Sequence, residues 1–326
     1  MRPLKRSPQN NMTRQTNAIE VCELTKSFPG IPAVDHLSFS VKKGEIFGLV
    51  GPDGAGKTTT MRMLAGVMAP DSGGAIVSGF DIVKSPESAK NRVSYMPQRF
   101  GLYEELTVDE NIRFYAKIFG VKTAEREKRA VSLLDAAGMS EFRSRLAGKL
   151  SGGMKQKLGL VCALIHTPDV ILLDEPTNGV DPVSRRDFWR ILYSLLDQGV
   201  TILTTTSYLD EAERCHRIAL MHEGRMLFCD TPARLKENMP GAVLSVVTGN
   251  PRGISELLDD NEGISSMMIV GDGLHLVVKD ASRMIPELHS IITAANLPFD
   301  SIEQVTPTVE DLFVEAVKGN TKGNNK

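Results

Sequence analysis

The chain has 326 residues, 41% of them hydrophobic and 24% charged, an ordinary globular composition long enough for a full core in more than one domain. A formal net charge of −2 gives no bulk electrostatic reason to bind nucleic acid or anionic lipid, so no nucleic-acid partner is expected. Cys22, Cys162, Cys215 and Cys229 lack the close, regular spacing of a disulfide scaffold and fit a reducing compartment. No run reaches the roughly 20 apolar residues that cross a bilayer, so membrane work is expected only through a partner.

Residues 1–17 are polar, with Arg2, Lys5, Arg6 and Arg14 among Pro, Gln and Asn. They hold too little apolar surface to offset the entropy of ordering, and read as a disordered lead. From 18 to 239, β-type runs at 45–50, 170–173, 200–204 and 217–221 alternate with helical stretches, which argues for a mainly parallel sheet flanked by helices. TVDE at 107–110 has capping-box spacing ahead of a helix with Ile112, Tyr115, Ala116 and Phe119 on one face, placing an inserted helical region at about 100–148. From 240 to 318 shorter strands alternate with helices at 254–258, 284–295 and 309–317, a pattern of a small α+β domain. Residues 319–326 read as a frayed end.

GLVGPDGAGKTTT, 48–60, contains Gly51-x-x-x-x-Gly56-Lys57-Thr58 directly after an apolar strand and before a helical run, the context this phosphate-loop pattern requires. Its glycines let the backbone curl around a phosphate and aim N–H groups at it, with a helix N-terminus behind them. Lys57 is expected at the β and γ phosphates and Thr58 on Mg²⁺, with Pro52, Asp53, Gly54, Ala55 and Thr59 as the rest of the loop. DVILLDEPTNGVDP, 169–182, is an apolar strand ending in paired acids, where burial makes an uncompensated carboxylate costly. Asp174 is placed to hold the Thr58-bound metal, directly or through water, and Glu175 to orient or deprotonate an attacking water.

AGKLSGGMKQKLGL, 147–160, opens a helix with a serine and two glycines, although glycine in a helix costs about 1 kcal/mol relative to alanine. With the phosphate loop, the glutamine of MPQRFGLYEELTVDENI, LSGGM, LLDEP and NGVD in this order, the chain resembles the ATP-binding cassette (ABC) ATPases over about 19–239. The resemblance implies an α/β P-loop NTPase cassette with a mainly parallel sheet and an inserted helical subdomain, followed here by the small C-terminal α+β domain. It implies ATP and Mg²⁺ as ligands, bound between two cassettes, with Ser151, Gly152 and Gly153 of one protomer closing over ATP on the other's phosphate loop. On either glycine a side chain is expected to block that approach. Phe28 resembles the aromatic that stacks on adenine, Gln98 the glutamine linking Mg²⁺ and the attacking water to a transmembrane partner, and Asp181 the aspartate communicating between the two sites.

Two positions depart from the family pattern. Met154 stands where the signature has glutamine, and Ser207 where a histidine contacts the γ-phosphate. Ser207-x-x-Asp210 also has helix-cap spacing. Serine is shorter than imidazole and cannot become cationic near neutral pH, so slow hydrolysis is expected. Within the family, the quoted segments resemble drug-exporter ATPases that work with ABC-2 type permeases, above all the N-terminal cassette of YbhF-type exporters. TPTVEDLFVEAVKG resembles the C-terminal extension of daunorubicin-type exporter ATPases. The implied function is an ATP-hydrolysing subunit that powers efflux of drugs or lipophilic compounds, as a homodimer or heterodimer, peripheral on the cytoplasmic face of the membrane. Phe100, Leu102 and Tyr103 are either a permease-facing surface or packing for the inserted helices. The alternatives are a regulatory, low-activity cassette in a heterodimer and a soluble ABC ATPase without transport.

Overall fold

The computed structural model describes residues 17–90 and 92–323. The expected disordered lead therefore lies outside the described residues except for Asn17, which opens a strand paired with Lys42. The expected tail is helical as far as Gly323, and beyond it lies outside them.

Two sheets form the first part of the chain. β1 (Asn17–Phe28), β2 (Ile31–Lys42), β4 (Ser72–Val77) and β5 (Phe80–Asp81) make an antiparallel sheet in the order β2-β1-β4-β5. β3 (Ile46–Val50), β6 (Val93–Met96), β7 (Val170–Asp174), β8 (Thr201–Thr206) and β9 (Arg217–His222) run parallel, with β10 (Arg225–Asp230) antiparallel at the edge, in the order β10-β9-β3-β8-β7-β6. The mainly parallel sheet is thus present, and the separate antiparallel sheet is an addition to it. β1 and β2 reverse through Pro29–Gly30, with Gly30 at φ 80°, and such a short reversal permits only antiparallel pairing.

β3 and β7 are buried at every position, as strands covered on both faces are. Alternation along β3 sends Ile46 and Val50 into one core, and Phe47 and Leu49 into another with Val21, Met61 and Leu203. The first core also holds the helices: α3 (Val108–Ile118), α4 (Thr123–Ala136), α5 (Gly152–Leu164) and α6 (Pro182–Leu196). Thr107 and Glu110 form the capping box that starts α3, satisfying two otherwise orphaned N–H groups. Short 3₁₀ turns at Ser140–Phe142 and Ala147–Lys149 lead into α5. The remaining helices of this part are α1 (Lys57–Leu64), α2 (Pro86–Lys90), α7 (Leu209–Ala212) and α8 (Pro232–Glu237).

The last part is β11 (Ala242–Val247), α9 (Pro251–Leu258), β12 (Ile264–Val270), β13 (Gly273–Val278), α10 (Ala281–Ala294), β14 (Ser301–Val305) and α11 (Val309–Gly323). Its antiparallel sheet, β12-β13-β11-β14, shares a core with α9 and α10. Its other face does not stand free. Val243, Val277, Val309 and Leu312 bury with Ala212, Leu235 and Met239, so α11 packs on α7 and α8.

Candidate nucleotide site

The loop 51–56 joins the end of β3 to α1, and its shape excludes side chains at two points. A Cβ on Gly51 lies 2.2 Å from the Met221 carbonyl oxygen, and one on Gly56, at φ 97°, lies 2.2 Å from that of Ala33. Pro52 and Ala55 close the turn through Ala55 N–H to the Pro52 carbonyl, while Asp53 and Gly54 (φ 82°) are exposed. Thr59 is half-buried in the first turn of α1. The Lys57 ammonium donates to the carbonyls of Gly51 (2.7 Å) and Pro52 (3.0 Å) and lies 3.2 Å from Glu175 Oε1.

Asp174, 1% exposed, ends β7. Its Oδ1 accepts from Thr58 Oγ1 (3.0 Å) and Thr205 Oγ1 (2.9 Å), and its Oδ2 from the Tyr95 hydroxyl (3.2 Å). Burial first, then the charge of Asp174, pushes the Tyr95 hydroxyl up to about 12, so it is a donor at neutral pH. Glu175 follows at φ 46°, a left-handed backbone costly for a side-chain-bearing residue. Its Oε2 accepts from Gln98 Nε2 (3.0 Å) and Asn178 Nδ2 (3.1 Å), and its N–H donates to Thr205 Oγ1 (2.9 Å). Lys57, Thr58, Gln98, Asp174 and Glu175 are therefore one cluster at the ends of β3, β6 and β7. Within it Gln98 meets Glu175, and no hydrogen bond joins it to Thr58 or Asp174 among the described residues.

The signature segment is elsewhere. Ser151 caps α5 by accepting from Met154 N–H (3.3 Å). The two glycines differ. A Cβ on Gly153 lies 2.5 Å from Ser184 Cβ and Oγ on α6, whereas one on Gly152 meets nothing within 4 Å. At Gly153 the chain's own packing against Ser184 already excludes a side chain, a constraint in addition to the one expected from an incoming phosphate. Met154 packs against the main core. Asp181 caps α6 by accepting from Val183 (3.1 Å) and Ser184 N–H (2.9 Å), and the backbone N–H of Ser184 holds its carboxyl below the usual range.

Phe28, 44% exposed, pairs with Ile31 at the tip of the β1–β2 reversal. That tip lies close to the loop, because Ala33 is the residue that crowds Gly56. Phe100 and Leu102 pack inward, Phe100 against Tyr115 at 5.0 Å between ring centres, while Tyr103 is exposed.

Ser207 is not the helix cap that its spacing predicts. α7 starts at Leu209 with Tyr208 at its cap position and no side-chain capping bond. The hydroxyl that serves this turn belongs to Thr206, which accepts from Tyr208 N–H (3.0 Å). Tyr95, Asn178 and Thr205 escaped the sequence reading. Asn178 stands in the NGVD segment and carries an amide to Glu175, but nothing in its spacing shows that direction.

Residues 34–178 match the profile of the family described as "ABC transporter". The chain is 44% identical over 301 residues to "Probable multidrug ABC transporter ATP-binding protein YbhF" of Escherichia coli K12, covering 91% of this chain and 51% of that protein. It is 41% identical over 233 residues to the daunorubicin/doxorubicin resistance ATP-binding protein DrrA of Streptomyces peucetius, covering 71% of each. A solved ATP-binding subunit of an ABC transporter superposes with a TM-score of 0.62 at 32% identity, over 68% of this chain and 92% of that one. The chain spans about half the length of YbhF. With this cluster at the ends of parallel strands, and this likeness over most of DrrA and the solved subunit, the chain belongs to the ATP-binding proteins of the ABC transporter family.

Proposed function

We propose that the chain binds ATP on the loop 51–59 and hydrolyses it to drive an export permease. The carrying observation is the convergence at the phosphate loop of Glu175, which meets both Lys57 and Gln98, and of Asp174, which meets Thr58. Loop N–H groups and the α1 N-terminus suit phosphate oxygens, and Lys57 exchanges its carbonyl partners for them. Phe28, exposed at the adjacent tip, offers a ring face to adenine.

The donor set fits Mg²⁺. Thr58 Oγ1 and Asp174 Oδ1 are hard oxygens 3.0 Å apart, and divalent magnesium is held by few protein oxygens plus phosphate. Thr58 and Asp174 would hold it, with Gln98 reaching from the Glu175 side. When bound, the ion supplies charge neutralisation at the β and γ phosphates. Tyr95 and Thr205 fix the Asp174 carboxylate. Glu175, gripped by Gln98 and Asn178 amides, orients the attacking water and accepts its proton.

Gly152 supports pairing of two cassettes. It is exposed, and its missing side chain has no explanation within the chain, as suits a surface closing over a partner's nucleotide; Asp181, capping the α6 helix that packs on the next residue, Gly153, serves as the link between paired sites. The transmembrane partner is an ABC-2 type permease exporting drugs or lipophilic compounds, with Tyr103 on the facing surface and this subunit peripheral on the cytoplasmic side. Among the described residues no helix is long and apolar enough to cross a membrane. Ser207 favours a second reading, a low-activity cassette paired with a histidine-bearing one. Purification from detergent-solubilised membranes tests both. A co-purifying multi-span permease with ATP turnover supports the first, a second cassette carrying most of the turnover the second, and absence of Mg-ATP binding sinks both.

A further inference from the structure

Glu211 is a buried carboxylate that the nucleotide reading leaves without a role. It lies on α7, is 1% exposed, and accepts from two hydroxyls, Thr177 Oγ1 at Oε1 (2.7 Å) and Thr206 Oγ1 at Oε2 (2.9 Å). Arg185 Nε of α6 lies 3.4 Å from Oε1. Its three partners come from three segments of the site. Thr177 is two residues past Glu175, Thr206 immediately precedes Ser207, and Arg185 is in the first turns of the helix that Asp181 caps.

The connections continue outward on both sides. The 175–178 turn is closed by Asn178 N–H to the Glu175 carbonyl (3.2 Å), and the Asn178 side chain then reaches Glu175 Oε2. Thr206 Oγ1, while donating to Glu211, accepts from Tyr208 N–H (3.0 Å). The Arg185 guanidinium stacks on the Tyr208 ring at 4.2 Å, and the Tyr208 hydroxyl lies 3.4 Å from Asn178 Oδ1. The two segments thus form a closed loop of contacts with Glu211 at its centre. Glu175 itself holds a left-handed backbone, a conformation that persists only where its surroundings over-determine it.

We propose that Glu211 is a positioning residue for Glu175, its carboxylate tying the turn that carries Glu175 to the end of β8 that carries Ser207, so that both sides of the γ-phosphate site keep one spacing. This rests on the ATPase reading above. A carboxylate suits the role because both its oxygens accept. An amide offers only one acceptor oxygen, and its NH₂ faces a hydroxyl hydrogen or the Arg185 cation.

The test is Glu211→Gln in the full chain, with Thr177→Val and Thr177→Ser as a second series should the first variant fold poorly. The expected result is a kcat lowered about tenfold or more in Glu211→Gln and Thr177→Val, with Mg-ATP affinity unchanged within about twofold, as binding rests on the phosphate loop. Thr177→Ser, which keeps the hydroxyl, restores turnover. Adding Thr177→Val to Glu211→Gln costs little more, since both cut one tie. Variants that only melt at lower temperature, with wild-type kcat per folded molecule, overturn the proposal, as does a loss confined to Mg-ATP affinity. A wild-type chain that neither binds nor turns over Mg-ATP overturns the ATPase reading instead, and is distinguished by appearing before any substitution is made.

Discussion

Lys57 Nζ lies 3.2 Å from Glu175 Oε1, and both side chains are less than a tenth exposed. The cation that would meet phosphate and the carboxylate that would face water thus neutralise each other inside the protein. Breaking a buried pair from one side leaves an uncompensated charge, which costs about 3–5 kcal/mol. Lys57→Met is expected at the low end, about 3 kcal/mol, because Gln98 and Asn178 still donate to Glu175. Urea unfolding without nucleotide checks this, and the double variant Lys57→Met with Glu175→Gln should recover most of the loss.

The signature glycines should separate under substitution. Gly153→Ala forces a methyl to 2.5 Å from Ser184, and overpacking of this kind costs about 1–3 kcal/mol of chain stability. Gly152→Ala meets open space and should leave stability equal or raise it by up to about 1 kcal/mol. Its cost should appear only in Mg-ATP-driven pairing, read by size-exclusion chromatography in a Glu175→Gln background. Equal pairing by wild type and Gly152→Ala would remove the argument for a partner closing there.

Ser207 makes no hydrogen bond among the described residues and caps no helix, so replacing it breaks none. Ser207→His should raise ATP turnover at least about tenfold, given the usual worth of a positioned polar catalytic group. Steady-state phosphate release measures it, and an unchanged rate would show that the serine does not limit hydrolysis.

His166 supplies a pH dependence of stability unrelated to turnover. Its ring stacks on Phe119 at 3.8 Å between ring centres. Burial first, and then the Arg129 charge, push it down to about 4 from 6.5. The unfolded chain therefore takes up the proton before the folded one does, so stability is flat above pH about 6.5 and falls as pH drops toward about 4. His166→Phe should flatten that part of the acid limb in urea midpoints taken from pH 7.5 to 4.5.

The last helix should matter to α7 and α8 as much as to the sheet it flanks, β12-β13-β11-β14. Leu312 is buried in the core that contains Ala212 of α7 and Leu235 of α8. Leu312→Ala should cost about 2–5 kcal/mol. Hydrogen exchange should show the loss in 209–212 as well as in 309–317; a loss confined to the latter would mean that α11 does not brace α7.

The sequence determined the chemistry that depends on neighbours along the chain. Gly51, Gly56, Lys57 and Thr58 are fixed by one turn between a strand and a helix, and the capping box at Thr107 spans three residues, so spacing alone carries them. Strand runs such as 170–173 were legible because burial on both faces removes polar residues from them. Tertiary structure decided what depends on partners far along the chain. Tyr95 and Thr205 reach Asp174 across 79 and 31 residues, and Ser184 on α6 already excludes a side chain at Gly153. Thr206 rather than Ser207 serves the turn into α7, and Glu211 faces the Glu175 turn instead of solvent. Periodicity reports which face of an element is buried; it carries no information on which distant hydroxyl, charge or ring meets that face, because that is set by how the elements pack.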